Sequence, residues 1–383
     1  MLLLWITIGV ILGAVVQRFL YQPHLSKGLH FRMHTDRNMV EEGGMLQLEQ
    51  RLANRMLKPF SQIRTSLRLN DGLSDKPEAY VADVYRNYPH QTYLLSRQSA
   101  AWSMDIHALR RGVHRADMQV LQYWDALGTQ RHTIELTSRE TVVVYPKCFE
   151  LHNILTPPIS TLGDVFVKRW IMEDVFFPIG ARDYQPGDNI RFVDWKQTAR
   201  VGQLQSRVFD FTATEELYII MNLQREVPNE TDLQREEVME QCIRLAASVA
   251  RQAVREGYDV GFYANGGCTS MAGHTLTLEP VSQAESALME YMARMANYNS
   301  MRFARFVHSI ASHIPSAARV IVVSAYLDND MENALQGLQA RVNGLEVLLY
   351  PDVDPRFTGG LHVRWLNQYL PGAPFQEVNT HVG

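Results

Sequence analysis

The run Leu217-Tyr-Ile-Ile-Met221, the apolar series Val238, Cys242, Leu245, Ala246, Val249 and Ala253 closing at Gly257, and the run Tyr258-Asp-Val-Gly-Phe-Tyr263 decide the fold of the C-terminal half. The first and third are short apolar segments suited to buried strands. Thr231 and Gln234 have capping-box spacing ahead of the series, whose members recur on one helical face. The same rhythm continues. Ser282 and Glu285 open a second capped helix with Leu288, Tyr291, Met292 and Met295 on one side. Phe303, Phe306, Val307 and Ile310 mark a third helix, stopped before Pro315. Arg319–Val323 is a strand, Leu335, Leu338 and Val342 mark a helix ended by Gly344, and Leu345–Tyr350 is the last strand. Strands and helices alternating at these lengths predict a mostly parallel sheet covered on both faces.

Residues 39–147 change to period-two runs split by Gly, Asn, Asp and Pro clusters, among them Leu46–Glu49, Phe60–Leu69, Gln91–Trp102, His132–Thr137 and Thr141–Tyr145. This predicts a small antiparallel β-sandwich; Arg111–Leu121 also admits a helix. Residues 1–21 are almost wholly apolar, with Arg18 near the end and Tyr21 at a headgroup position. They are expected to form a transmembrane anchor. Residues 22–38 read as a juxtamembrane linker. The cations Arg18, Lys27, Arg32 and Arg37 follow the span, which places the bulk of a single-pass cell-membrane protein in the cytoplasm. Residues 148–211 form a bridge with a charged loop, in which Leu162–Met172 admits a helix; 212–370 form the α/β domain and 371–383 a tail. The expected architecture is thus a multidomain chain: anchor, β-sandwich-like domain, α/β domain. With 46% hydrophobic residues there is material for two cores, and a net charge of −4 argues against non-specific nucleic-acid binding. Cys148, Cys242 and Cys268 are too dispersed for a disulfide framework.

The densest motif is Gly180–Leu204. Pro186-Gly187 fits the centre of a type II turn. Around it Arg182, Arg191, Lys196 and Arg200 interleave with Asp183, Asp188 and Asp194, and with Tyr184, Phe192 and Trp195. One reading is an ion-pair network bracing a loop; the other is a docking surface or active site. The segment resembles the bacterial family known as domain of unknown function 58. It carries Arg182-x-Tyr184-x-Pro186-Gly187-Asp188, then Arg191, Asp194-Trp195-Lys196 and Ala199-Arg200-x-Gly202-x-Leu204. Arg111-Gly112, Trp124–Gly128 and Val143–Pro146 echo landmarks upstream. The resemblance implies a von Willebrand factor type A-like (Rossmann-like) C-terminal domain and association with MoxR-type AAA+ ATPases. Members of the family often begin with two membrane spans; this chain shows one.

Domains of that type often hold a divalent cation on Asp-x-Ser-x-Ser after the first strand. Here Asn222 and Gln224 stand at that place, both serines are missing, and Arg225 adds positive charge. Too few hard oxygen ligands remain, so no metal and no cofactor are expected. Asp328 and Asp330 are explained by helix capping. His30 and His34 have i,i+4 spacing without an acidic third ligand. Ala264-Asn-Gly-Gly267 reads as a turn, Cys268 has no evident base, and Met289, Met292 and Met295 read as core. The function that follows is a membrane-tethered adaptor or scaffold that binds a protein partner without catalysis, joining a MoxR-type AAA+ ATPase to an envelope client. The alternatives are a hydrolase using Asp188 and Asp194, or a purely structural envelope component.

Overall fold

In the described strands between residues 29 and 145 more and less buried side chains largely alternate, and two sheets close over the buried faces. The computed structural model describes residues 2–20, 28–77, 80–81, 85–124, 131–151, 178–185, 190–209, 215–268, 275–281, 285–350 and 360–365. Helix α1 covers Leu2–Leu20. The strands that follow are β1 (Leu29–Thr35), β2 (Met39–Glu41), β3 (Met45–Asn54), β4 (Phe60–Leu69), β5 (Leu73–Ser74), β6 (Arg86–Leu94), β7 (Ser99–Ala108), β8 (Gly112–Trp124) and β9 (Arg131–Tyr145). One sheet has the order β1-β3-β7-β5 and the other β2-β9-β8-β4-β6. Leu46, Leu48 and Ile106 from the first sheet pack on Leu67, Met118 and Val142 from the second.

The membrane anchor expected over residues 1–21 is corrected. Among the described residues no helix is long and apolar enough to cross a membrane. The charge-free apolar run ends at Val16, before Gln17 and Arg18. From Leu2 it rises only about 22 Å, against roughly 30 Å of hydrocarbon. The linker reading of 22–38 also changes, because Leu29–Thr35 is β1, paired antiparallel with β3. The helix admitted at Arg111–Leu121 is instead β8, laddered to both β4 and β9. Its register shifts between Met118 and Val120. Burial therefore passes from His114, Ala116 and Met118 to Leu121 and Tyr123, and this bulge hides the period of two.

The C-terminal half contains β10 (Pro178–Asp183), α2 (Trp195–Val201), β11 (Gln205–Phe209), β12 (Glu216–Met221), α3 (Asp232–Arg255), β13 (Asp259–Ala264), β14 (Leu276–Val281), α4 (Glu285–Arg294), α5 (Phe303–Ile310), β15 (Arg319–Ser324), α6 (Asn329–Gln339), β16 (Gly344–Leu349) and β17 (Val363–Trp365). Its main sheet runs β14-β13-β12-β15-β16-β17; all these pairings are parallel except β13 with β14. Leu217, Ile219 and Met221 point to α3 and α4. Tyr218 and Ile220 point to α5 and α6. The Thr231–Gln234 capping box starts α3, and Asp328 caps α6 by accepting from Met331 N at 2.8 Å. Ser282, Leu162–Met172 and the tail 371–383 lie outside the described residues.

Candidate functional site

The signature segment folds on itself. β10 and β11 pair antiparallel, and a 3-10 turn (Ile190–Phe192) and α2 fill the connection. Asp194 is the N-cap of α2; its carboxylate accepts from Lys196 N at 3.0 Å and Gln197 N at 3.1 Å. This satisfies amides that a helix start leaves unpaired. Gly202 ends the helix at φ 77°, in the left-handed region that favours glycine, and its N–H reaches Thr198 O at 2.9 Å. Thr198 Oγ1 accepts from Gln205 N at 3.0 Å, and Gln205 Nε2 donates to Asp183 Oδ1 at 2.6 Å. Tyr184 N donates to Leu204 O, and Asp194 N to Gln205 O. Asp183 and Asp194 are thus held by amide donors; Arg207, outside the motif positions, approaches Asp194 at 3.7 Å, and the Arg182 guanidinium donates to Asp183 O at 3.1 Å. Trp195 (64% exposed), Ile190, Val201 and Leu204 face solvent, as do Arg182, Arg191, Lys196 and Arg200. Pro186, Gly187 and Asp188 lie outside the described residues.

The second candidate place is the carboxyl edge of the main sheet. Central β12 has β13 on one side and β15 on the other, so the chain's direction of travel across the sheet reverses there, where open α/β sheets form their crevice. Fully buried Asn222 follows β12. Its Nδ2 donates to Ser324 Oγ at 2.8 Å and Tyr326 O at 3.1 Å, and its Oδ1 accepts from Gln224 N at 2.9 Å. Asn265, at the end of β13, accepts from Leu223 N at 2.7 Å and donates to Met301 O at 3.0 Å. Gln224 Oε1 accepts from Phe303 N at 2.8 Å, so it caps α5, whose own N-cap residue Arg302 makes no side-chain capping bond. The Arg225 guanidinium donates to Ala325 O at 2.6 Å and is forked onto Glu230 at 2.7 Å. Amides, a hydroxyl and an internal cation therefore tie the strand ends together. This donor set, with a guanidinium beside it, does not suit a hard divalent cation.

A model of the family described as "Protein of unknown function DUF58" matches residues 180–360, which hold both places. This region, just under half of the chain, belongs to the DUF58 family. It is 22% identical over 165 residues to the uncharacterized protein YeaD of Bacillus subtilis (strain 168), a match covering 43% of this chain and 39% of that relative. Two solved structures each cover 30% of this chain: the CARDB domain of the PF1109 protein from Pyrococcus furiosus, with 13% identity, 91% of that chain and a TM-score of 0.21, and a type II cohesin domain from Acetivibrio cellulolyticus, with 9%, 94% and 0.22. At these TM-scores neither likeness bears on fold or function.

The DUF58 region is fastened to the sandwich through α3. Arg111 Nη2 donates to Glu240 Oε1 at 2.8 Å and Nε lies 2.8 Å from Oε2 as an ion pair, with both side chains under 5% exposed. Arg111 Nη1 also donates to the carbonyls of Met292 at 2.9 Å and Met295 at 2.7 Å, around the end of α4. Arg110 pairs with Glu236 at 2.9 Å and lies over the Tyr80 ring at 4.4 Å. Arg244 forks onto Glu42 at 2.6 and 3.0 Å, and Arg251 reaches Glu41 at 3.3 Å and Glu285 at 3.0 Å. The sequence reading missed this seam. Its one signal was Arg111-Gly112, noted only as a family landmark.

A cleft of about 500 Å³ opens beside the seam, lined by Glu41, Cys148, Ser248, Arg251 and Arg255 among others. Burial pushes the Cys148 thiol up to about 11, which suppresses the thiolate a nucleophile needs. Cys268 Sγ donates to Arg294 O at 3.1 Å. His30 and His34 are exposed on β1, where i,i+4 spacing spans roughly 13 Å and cannot grip one ion. Among the described residues no group of three or more His, Cys, Asp or Glu is placed to hold a metal. Met289, Met292 and Met295 are buried core.

Proposed function

We propose that this chain is a protein-binding adaptor, that its DUF58 region presents the signature hairpin to a partner, and that a MoxR-type AAA+ ATPase is that partner. The observation that carries the reading is the division of labour in the hairpin. Its carboxylates Asp183 and Asp194 hold the loop together, while Trp195, Ile190, Val201 and Leu204 are left outward. Large apolar side chains gathered on one exposed element are a mark of contact surfaces. Asp194 also serves poorly as a general acid or base, because its Oδ1 is held by two backbone amides. Recognition is therefore preferred to hydrolysis.

The test is affinity capture of the tagged full chain from its native cells, followed by immunoblotting for the AAA+ ATPase. The expected result is co-recovery of the ATPase with the chain. Its absence from every eluate, with the bait intact, removes the ATPase from the proposal.

A further inference from the structure

The geometry points to an acidic, apolar-ridged segment of a partner protein as the occupant of the outer side of α2 and its adjoining turn; this inference rests on the adaptor reading and adds the chemistry of what is bound. Two observations meet on the same hairpin. The first is apolar: Trp195 and Val201 on α2, with Ile190 before it and Leu204 after it, are all exposed. An indole so displayed is a strong interface anchor, because its large rigid surface gains most from being covered.

The second is electrostatic. Of the described acids here, Asp183, itself exposed, accepts the Gln205 amide at 2.6 Å, and Asp194 accepts two backbone N–H groups at the start of α2. Lys196 and Arg200 are exposed one turn apart on α2, and Arg207 adds a half-exposed guanidinium near the Asp194 cap. Among the described residues of the hairpin, Arg182, Arg191, Lys196, Arg200 and Arg207 outnumber Asp183 and Asp194, so its local charge is net positive. A partner with Asp or Glu flanking apolar residues would pair with these cations as it covered Trp195, and a basic partner would be repelled. The whole chain carries a net charge of −4. It is therefore repelled from extended polyanions such as nucleic acid or an anionic lipid surface, while a few local cations can still meet the carboxylates of one protein segment.

The test uses the full chain and four fluorescent probes. These are an amphipathic peptide with Leu on one helical face and Glu on the other, the same peptide with Lys for Glu, phosphatidylglycerol vesicles, and single-stranded oligothymidylate. Saturable binding of the Glu peptide is expected, with no saturable binding of the Lys peptide. Trp195→Ala, and Lys196→Glu with Arg200→Glu, should each weaken it at least about tenfold, and added salt should weaken it further. Arg200→Gln serves if either variant melts early; a loss of about threefold is expected from it. The proposal is overturned by equal binding of both peptides, by indifference to these substitutions, by vesicles or oligothymidylate binding through these residues instead, or by self-association that Trp195→Ala abolishes. An ATPase captured equally well by the Trp195→Ala chain would end this inference and leave the adaptor reading standing. A Glu peptide bound through Trp195 with no ATPase captured would keep this inference and remove only the ATPase from the adaptor reading.

Discussion

Asp183, Asp194 and Gln205 mark how far single residues could be read. Charged alternation around Pro186-Gly187 left two readings open, an ion-pair network bracing the loop or a docking surface or active site. In the folded chain the partners are Gln205 Nε2 and the amides of Lys196 and Gln197. Composition cannot separate these outcomes, because a cap is a matter of where a helix begins. His114 is a second case. Its Nε2 lies 2.8 Å from Arg110 O, and its ring occupies the space that a side chain on Gly72 would need. Burial holds its pKa below the ordinary value, against the opposing pull of the Arg110 carbonyl. The sign follows from linkage. Below the ordinary histidine pKa of about 6.5 the unfolded chain takes up a proton that the native imidazole refuses, so stability is lost as pH falls from there toward the lowered native value. Burial pushes His90 in the same direction. Thermal melts across that interval should show the loss, and His114→Gln, which keeps an N–H donor, should reduce its slope. A slope unchanged in that variant would remove His114 as a contributor.

Among elements, α3 separates what the sequence displayed from what it concealed. Its apolar face, its capping box and its end before Gly257 were all legible, as were the runs that became β12, β13, β15 and β16. Such signals are local and periodic. Two features at this scale were hidden: the bulge that flips the burial of β8, and the second face of α3. Glu236, Glu240, Arg244 and Arg251 form a charged stripe of the kind normally solvated, but here it meets Arg110, Arg111, Glu42 and Glu41 from the sandwich. Only the fold brings those groups together. The Arg111–Glu240 pair is the most enclosed, so removing one partner strands a buried charge. Glu240→Ala is expected to cost about 3–5 kcal/mol. Arg111→Met with Glu240→Leu, which removes both charges, should cost clearly less. Urea unfolding of the three chains measures this, and a Glu240→Ala loss below about 1 kcal/mol would mean the pair is not desolvated in solution.

For the whole molecule, the seam governs whether sandwich and DUF58 region behave as two domains or one body. α3 contributes its apolar face to the core of the α/β sheet and its charged stripe to the sandwich, and Leu151 extends the chain beyond β9 into that same α/β core. Opening the seam without unfolding α3 would expose paired charges already matched in distance and leave Arg111 facing carbonyls it could no longer reach. Opening and unfolding should therefore be coupled. Calorimetry of the full chain is expected to give a single transition with calorimetric and van't Hoff enthalpies in agreement. Glu41→Lys with Glu42→Lys sets like charges against Arg251 and Arg244 and should split that transition in two, with both sheets still folded at the lower temperature by far-UV dichroism. Two transitions in the unaltered chain would mean that the modules melt independently. The hairpin would then sit on a mobile half rather than on a platform braced from the sandwich side, and a partner would have to bear the entropy of ordering it.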